Sequence, residues 1–148
     1  MEYDFQFIEE ANCVAIRIVG QPTSNEMHQG LIRLSYDPQW KSRIAMLVDC
    51  RETEFTHLSA SDVRELAQTF TQDLAEFRPG SLAIVVNGLL AYGLARMWEI
   101  LVRKEWSLPL QVFHSLGEAL EWLEIPDIKI TLLGYNVSDK INGRTTKN

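Results

Sequence analysis

Two continuous apolar runs, Ile44-Ala45-Met46-Leu47-Val48 and Leu82-Ala83-Ile84-Val85-Val86, dominate the hydrophobic pattern of this chain. Each stops at a polar residue, Asp49 or Asn87, and each is followed by apolar positions at helical spacing. A branched run without polar alternation predicts a strand covered on both faces, as in a parallel sheet between helical layers. The beginning of the chain reads differently. Tyr3, Phe5 and Phe7 alternate with Asp4 and Gln6, and beyond Glu10-Ala11-Asn12 the residues Val14, Ile16 and Ile18 share a face. That alternation predicts a half-buried β-hairpin.

Helix starts are marked by caps. Thr23 with Glu26, and Ser59 with Asp62, form capping-box patterns, and Ser115 precedes Glu118 in the same way. The first helix is expected to bury Met27, Leu31 and Leu34, with Gly30 packed close to the sheet, and to stop at Asp37-Pro38. A polar loop is expected from Arg51 to Leu58. The second helix carries Val63, Leu66, Phe70 and Leu74 on one stripe and ends by Arg78-Pro79-Gly80. The third, Leu89–Trp106, presents Leu90, Leu94, Met97 and Leu101 as its expected core face, with Arg96, Glu99 and Arg103 on the solvated side. It has a second apolar line, Ala91, Ala95, Trp98 and Val102, wider than one sheet contact requires. Leu110–Phe113 reads as a last strand, and a final helix buries Leu116, Ala119, Leu120 and Leu123.

The element order is therefore β-β-α-β-α-β-α-β-α. It predicts an α/β fold with a mixed, mainly parallel five-stranded sheet and helices on both faces; the first strand is antiparallel at an edge. The chain has 148 residues, one domain by length. The compact unit is expected over residues 1–126. Residues 127–148 form a C-terminal extension, expected to be partly disordered, with an apolar patch at Ile128–Leu133 able to add a strand.

Net charge is −6, and from Asp127 onward two acids stand against four bases, so the first 126 residues carry −8. An acidic surface argues against a nucleic-acid partner, which needs clustered Lys and Arg. Cys13 and Cys50 are far apart and form no CxxC pair, which predicts free thiols in a reducing compartment. The N-terminus has no basic region followed by an apolar core, and no run approaches a membrane span, so the expected location is cytoplasmic. His28, His57 and His114 are scattered without ligand spacing, and no dinucleotide or P-loop glycine pattern is present. No metal and no cofactor are expected. Gly88 is expected to permit a tight strand-to-helix turn, and Gly93 a close helix–sheet contact.

Parallel strands bring their carboxyl ends to one rim, where ligands of open α/β sheets bind. Thr23, Asp49, Arg51, Asn87 and His114 arrive there and form the candidate ligand rim. Asp49 with Arg51 reads either as a poised carboxylate and cation or as a structural ion pair, the commoner case. His114 beside Ser115 resembles a base next to a nucleophile, but strand neighbours point apart and Ser115 is already used as an N-cap.

Four segments carry a family resemblance: Asp37–Trp40 (DPQW), Leu47–Arg51 (LVDCR), Ala91–Leu101 (AYGLARMWEIL) and Val112–Leu123 (VFHSLGEALEWL). With the opening hairpin they resemble the SpoIIAA-like group of STAS domains, relatives of anti-sigma-factor antagonists whose fold is also similar to CRAL-TRIO lipid-binding proteins. The resemblance spans about residues 3–125 and implies a non-enzymatic regulatory or protein-interaction module. In anti-sigma antagonists an Asp-Ser pair opens the helix after the buried strand, and its serine is phosphorylated. Here His57 and Leu58 occupy those positions, which leaves Ser59, one residue on, as the candidate phosphosite and an N-cap as its competing role. The resemblance implies a partner surface at Thr56, His57, Ser59, Ser61 and Arg64. The wide third helix adds an expected homo-oligomer interface at Trp98, Val102 and Trp106. The alternative function is a carrier or sensor of a small apolar, lipid-like ligand held between the sheet and that helix; an enzyme using Asp49, Arg51 and His114 is a third reading.

Overall fold

The structure, a computed structural model, describes residues 2–125. The predicted extension 127–148 and its Ile128–Leu133 strand lie outside the described residues. Strands β1 (Glu2–Ile8) and β2 (Cys13–Gly20) form the hairpin, joined by a 3-10 turn at Glu9–Ala11. Asn12 closes this turn in the left-handed region (φ 47°), a conformation that Asn tolerates better than most residues. Helix α1 (Ser24–Ser35), strand β3 (Ala45–Thr53), helix α2 (Ala60–Asp73), strand β4 (Ser81–Val86), helix α3 (Leu89–Glu105), strand β5 (Leu110–Phe113) and helix α4 (Leu116–Leu123) follow.

The sheet order is β1-β2-β3-β4-β5. Only the β1–β2 pair is antiparallel; the other three pairs are parallel. Because the order is sequential, each right-handed crossover advances in the same direction and places its helix on the same face. One core accordingly joins Leu34 of α1, Phe70 of α2 and Trp98 of α3 to Ile16, Met46, Ile84 and Val112 of the sheet. α4 follows the last strand and turns to the opposite face. There Leu116, Ala119 and Leu120 cover Cys13, Ala15, Leu47, Ala83 and Val85. Helices thus occupy both faces, three against one. The alternation of these two sets along β3 and β4 explains why Ala45–Val48 and Leu82–Val86 are apolar at every position.

Two glycines match the packing expected of them, and one does not. Gly30 lies against the Tyr3 ring, where a Cβ would sit 3.0 Å away, and its carbonyl accepts the Tyr3 hydroxyl at 2.9 Å. Gly88 turns the chain from β4 into α3 at φ 87°. Gly93 is exposed, with nothing within 4 Å of an added Cβ, so it serves no close contact. Both cysteines are free and buried, Cys50 on the three-helix side and Cys13 on the α4 side, so the sheet itself separates them.

α3 sits rotated from its expected orientation. Ala91, Trp98, Val102 and the following Trp106 face the core, and Trp98 and Trp106 pack on Phe70 at ring-centroid distances of 4.9 and 5.2 Å. Trp98, Val102 and Trp106 are therefore interior residues and cannot form the oligomer interface expected of them. Leu94, Met97 and Leu101 are half-buried at the edge of the same core, and Leu90, expected inside, is exposed, so the aromatic contacts to Phe70 set the orientation of the helix. Glu99, expected in solvent, is 3% exposed and accepts from Arg96 at 2.7 Å and Arg103 at 3.2 Å. The two guanidiniums lie on its own helix at the i,i+3 and i,i+4 spacings that bring side chains together.

Candidate functional site: the carboxyl-end rim

β3 does not stop at Asp49 but runs on to Thr53, beyond the end of β4, because β2 continues beside it. Between Arg17/Asp49 and Val19/Glu52 the register shifts, with β3 advancing three residues while β2 advances two. This bulge returns Glu52 to the face of Arg17, with which it forms an ion pair. On that face, shared with α4, Asp49 and Arg51 stand two residues apart along the strand. Asp49 is 2% exposed. Its Oδ1 accepts from Arg51 Nε at 2.9 Å and from the Arg51 backbone N–H at 3.1 Å, and its Oδ2 accepts from Arg51 Nη2 at 2.9 Å. Asn87 Nδ2 donates to the Arg51 carbonyl at 3.1 Å and ties the β4–α3 turn to the overhanging end of β3.

Three of the five expected rim residues, Asp49, Arg51 and Asn87, are thus linked by hydrogen bonds. The other two are engaged elsewhere. Thr23 caps α1, accepting from the Glu26 N–H at 3.0 Å while its own N–H donates to Glu26 Oε1 at 2.9 Å. His114 stacks on Tyr92, with ring centroids 4.5 Å apart and planes at 18°. Ser115 caps α4, accepting from the Glu118 N–H at 3.3 Å. Asp49 is committed to a bidentate pair, and a carboxylate held this way has few lone pairs left for a substrate.

The segment between β3 and α2, together with the first turns of α2, carries the expected partner surface. Thr56, His57, Ser59, Ser61 and Arg64 are all exposed. The Ser59 hydroxyl accepts from the Asp62 N–H at 3.1 Å, and Asp62 Oδ2 accepts from the Ser59 N–H at 2.9 Å. That backbone bond holds the Asp62 carboxyl below its ordinary pKa. His57 Nε2–H donates to the Pro22 carbonyl and fastens the loop to the start of α1. Ser59 is therefore both exposed and structurally occupied.

Sequence reasoning missed the exposure of Leu89 and expected Leu90 in the core. Leu89 and Leu90 open α3 beside Gly88 and are 88% and 53% exposed, an apolar pair displayed on the rim. The signal was present in their position, since the first turn of a helix after a strand end projects past the sheet. A cavity of about 80 Å³ lies between the sheet and the helices α1, α2 and α3, where the alternative reading of the sequence expected room for a small apolar ligand. Phe55 and Leu58 of the β3–α2 loop and Leu94 of α3 are among its walls. Among the described residues no group of three His, Cys, Asp or Glu is placed to hold a metal, and no helix is long and apolar enough to cross a membrane.

No family model matches the chain, and no curated protein matches it. Among solved structures, it is similar to an uncharacterized protein of the DUF3478 family with a SpoIIAA-like fold from Shewanella loihica PV-4. The TM-score is 0.51 at 21% identity, over 82% of this chain and 92% of that one. The likeness establishes a SpoIIAA-like fold, in agreement with the fold to which the four sequence segments point.

Proposed function

We propose that this chain is a non-enzymatic, STAS-like regulatory module of the cytoplasm that binds a protein partner across its carboxyl-end rim. The observation carrying this reading is the Leu89–Leu90 pair, exposed at the start of α3 while the polar groups around it bond within the chain. Exposed leucines fixed on a helix start gain about 1.5–3 kcal/mol each when a partner covers them fully. Thr56 and His57 of the β3–α2 loop and Ser61 and Arg64 of the first turns of α2 supply exposed polar groups, the composition of an interface rim. Two buried free thiols support a reducing compartment.

Ser59 is our candidate for control of that surface. A phosphate there would gain the free amides of the α2 N-terminus but would displace the capping box and face the Asp62 carboxylate. The experiment is affinity purification from the native host with the wild-type chain, Leu89→Glu and Arg64→Glu. A specific partner retained by the wild type and weakened at least tenfold by Leu89→Glu, at unchanged thermal stability, supports the reading. A set of partners indifferent to both substitutions removes it.

A further inference from the structure

Strand β1 is seven residues long and stands at the edge of the sheet, paired among the described strands with β2 alone. It carries no Lys, Pro or bulge, the usual devices that keep a long edge from recruiting another strand. On the side of the three helices, Tyr3, Phe5 and Phe7 form an aromatic row, with neighbouring ring centroids 6.2 and 5.8 Å apart. The cover of this row is incomplete. Phe5, at its middle, is 42% exposed beside a groove that Asn25, Gln29 and Arg33 of α1 also line. Glu2 and Asp4 alternate with the aromatics and point to the other side. Residues 2–12 as a whole carry four acids (Glu2, Asp4, Glu9 and Glu10) and no base. The edge therefore matches a strand that is apolar at alternate positions and basic between them.

We propose that the Ile128–Leu133 segment of this chain docks on the β1 edge as a sixth strand, antiparallel to β1. Ile128, Ile130 and Leu132 extend the row of Phe7, Phe5 and Tyr3, and Lys129 lies on the acidic side with Asp4. The point of departure and the charge both select this edge. Ile125, just beyond α4, belongs to the apolar cluster that holds Ile8, Ala11 and Cys13 at the turn of the hairpin. Three residues from Ile125 to Ile128 reach up to about 10 Å, two strand spacings. A strand that starts beside Ile8 and follows the edge necessarily runs against β1. From Asp127 onward four bases stand against two acids, opposite in sign to residues 2–12. The other edge is a poorer match, because β5 has four residues, Leu110–Phe113, and no acid among them. Addition to an edge also pairs the backbone of the incoming strand, whereas an extended segment laid on a sheet face buries its amides unpaired. β1 lies three strands from β4, which leads into Leu89 and Leu90, so this contact and the partner surface on the rim stand or fall separately.

The test uses the full chain labelled with ¹⁵N and ¹³C, in nuclear Overhauser and amide hydrogen-exchange measurements. The expected result is a set of cross-strand Hα–Hα contacts between residues 128–133 and β1 in antiparallel order. Amides of residues 128–133 should exchange at least about tenfold more slowly in the wild type than in Ile130→Pro, which removes a backbone donor and breaks the strand. Exchange in β3 and β4 should be the same in both proteins. A mixture of labelled and unlabelled chains separates contacts within one chain from contacts between two. Contacts of the segment with β5 or with α4, contacts of β1 with the β1 of a second copy, or exchange in residues 128–133 that Ile130→Pro leaves unchanged overturns the proposal. Should Ile130→Pro fail to fold, the wild-type contacts decide alone: antiparallel contacts with β1 of the same chain uphold the docking, and any other set, or none, overturns it.

Discussion

Replacing Arg51 by alanine tests how the rim is held together. Asp49 is 2% exposed, and its carboxylate receives three hydrogen bonds, two of them from the Arg51 guanidinium at 2.9 Å. Arg51→Ala removes those two and leaves a buried negative charge supported by one backbone N–H at 3.1 Å. Breaking a buried pair from one side costs about 3–5 kcal/mol. For a chain of this size that is about a fifth or more of the whole folding free energy, of order 5–15 kcal/mol. Removing both charges is a different experiment. In Asp49→Asn/Arg51→Met the buried group is neutral and the methionine restores much of the arginine stem, so stability should return to within about 1–2 kcal/mol of wild type. Urea unfolding followed by tryptophan fluorescence at pH 7 measures all three proteins, with similar m-values as the check that the same transition is observed. A single variant costing under about 1 kcal/mol, or a double variant no better than the single, would refute a structural role for the pair.

Three further outcomes are expected. Burial pushes the Cys13 and Cys50 thiols up to about 12, against about 8.5 for an ordinary thiol. Stability should therefore be full below pH 8.5 and decline as pH rises towards the folded value, by up to about 1.4 kcal/mol per pH unit per thiol; Cys50→Val should lessen the slope of urea midpoint between pH 8.5 and 10, and an identical slope would contradict the assignment. A Cβ at Gly80 would meet the Arg43 carbonyl oxygen at 2.5 Å, so Gly80→Ala should cost about 1–3 kcal/mol, whereas Gly93→Ala, on an open helix surface, should gain up to about 1 kcal/mol in the same unfolding assay. Ser59→Ala removes the α2 cap and should lower stability by about 1 kcal/mol, while a Ser61→Ala control, with no capping bond, should stay within about 0.5 kcal/mol.

The architecture was legible in the sequence because its strongest signals were redundant. Runs of apolar residues at Met46–Val48 and Leu82–Val86 required two covered faces, and capping residues at Thr23, Ser59 and Ser115 fixed where helices begin. The site was less legible, for three physical reasons. A strand end is set by how far its neighbour extends, so Asp49 and Arg51 lie within β3 because β2 reaches Gly20. The orientation of α3 depended on two apolar stripes at the same spacing, and the decision lay with Phe70 on another helix, against which Trp98 and Trp106 pack. Glu99 is buried because Arg96 and Arg103 neutralise it, whereas its charge alone predicted exposure. The cavity was legible only in its place beside the second apolar line of α3, since its volume is set by how several side chains jointly pack.

The unbroken 1-2-3-4-5 order of the sheet also bears on how the chain reaches this state. Val14 meets Met46, Met46 meets Leu82, and Leu82 meets Leu110, so every parallel partner is the next strand along the chain. Each closure spans one intervening helix, and its entropic penalty grows only with the logarithm of the segment length. Assembly can advance from the hairpin one β-α unit at a time, with each new strand finding its edge already exposed. Among parallel sheets, which usually form slowly because their pairings are distant, such a connectivity favours a comparatively fast folder.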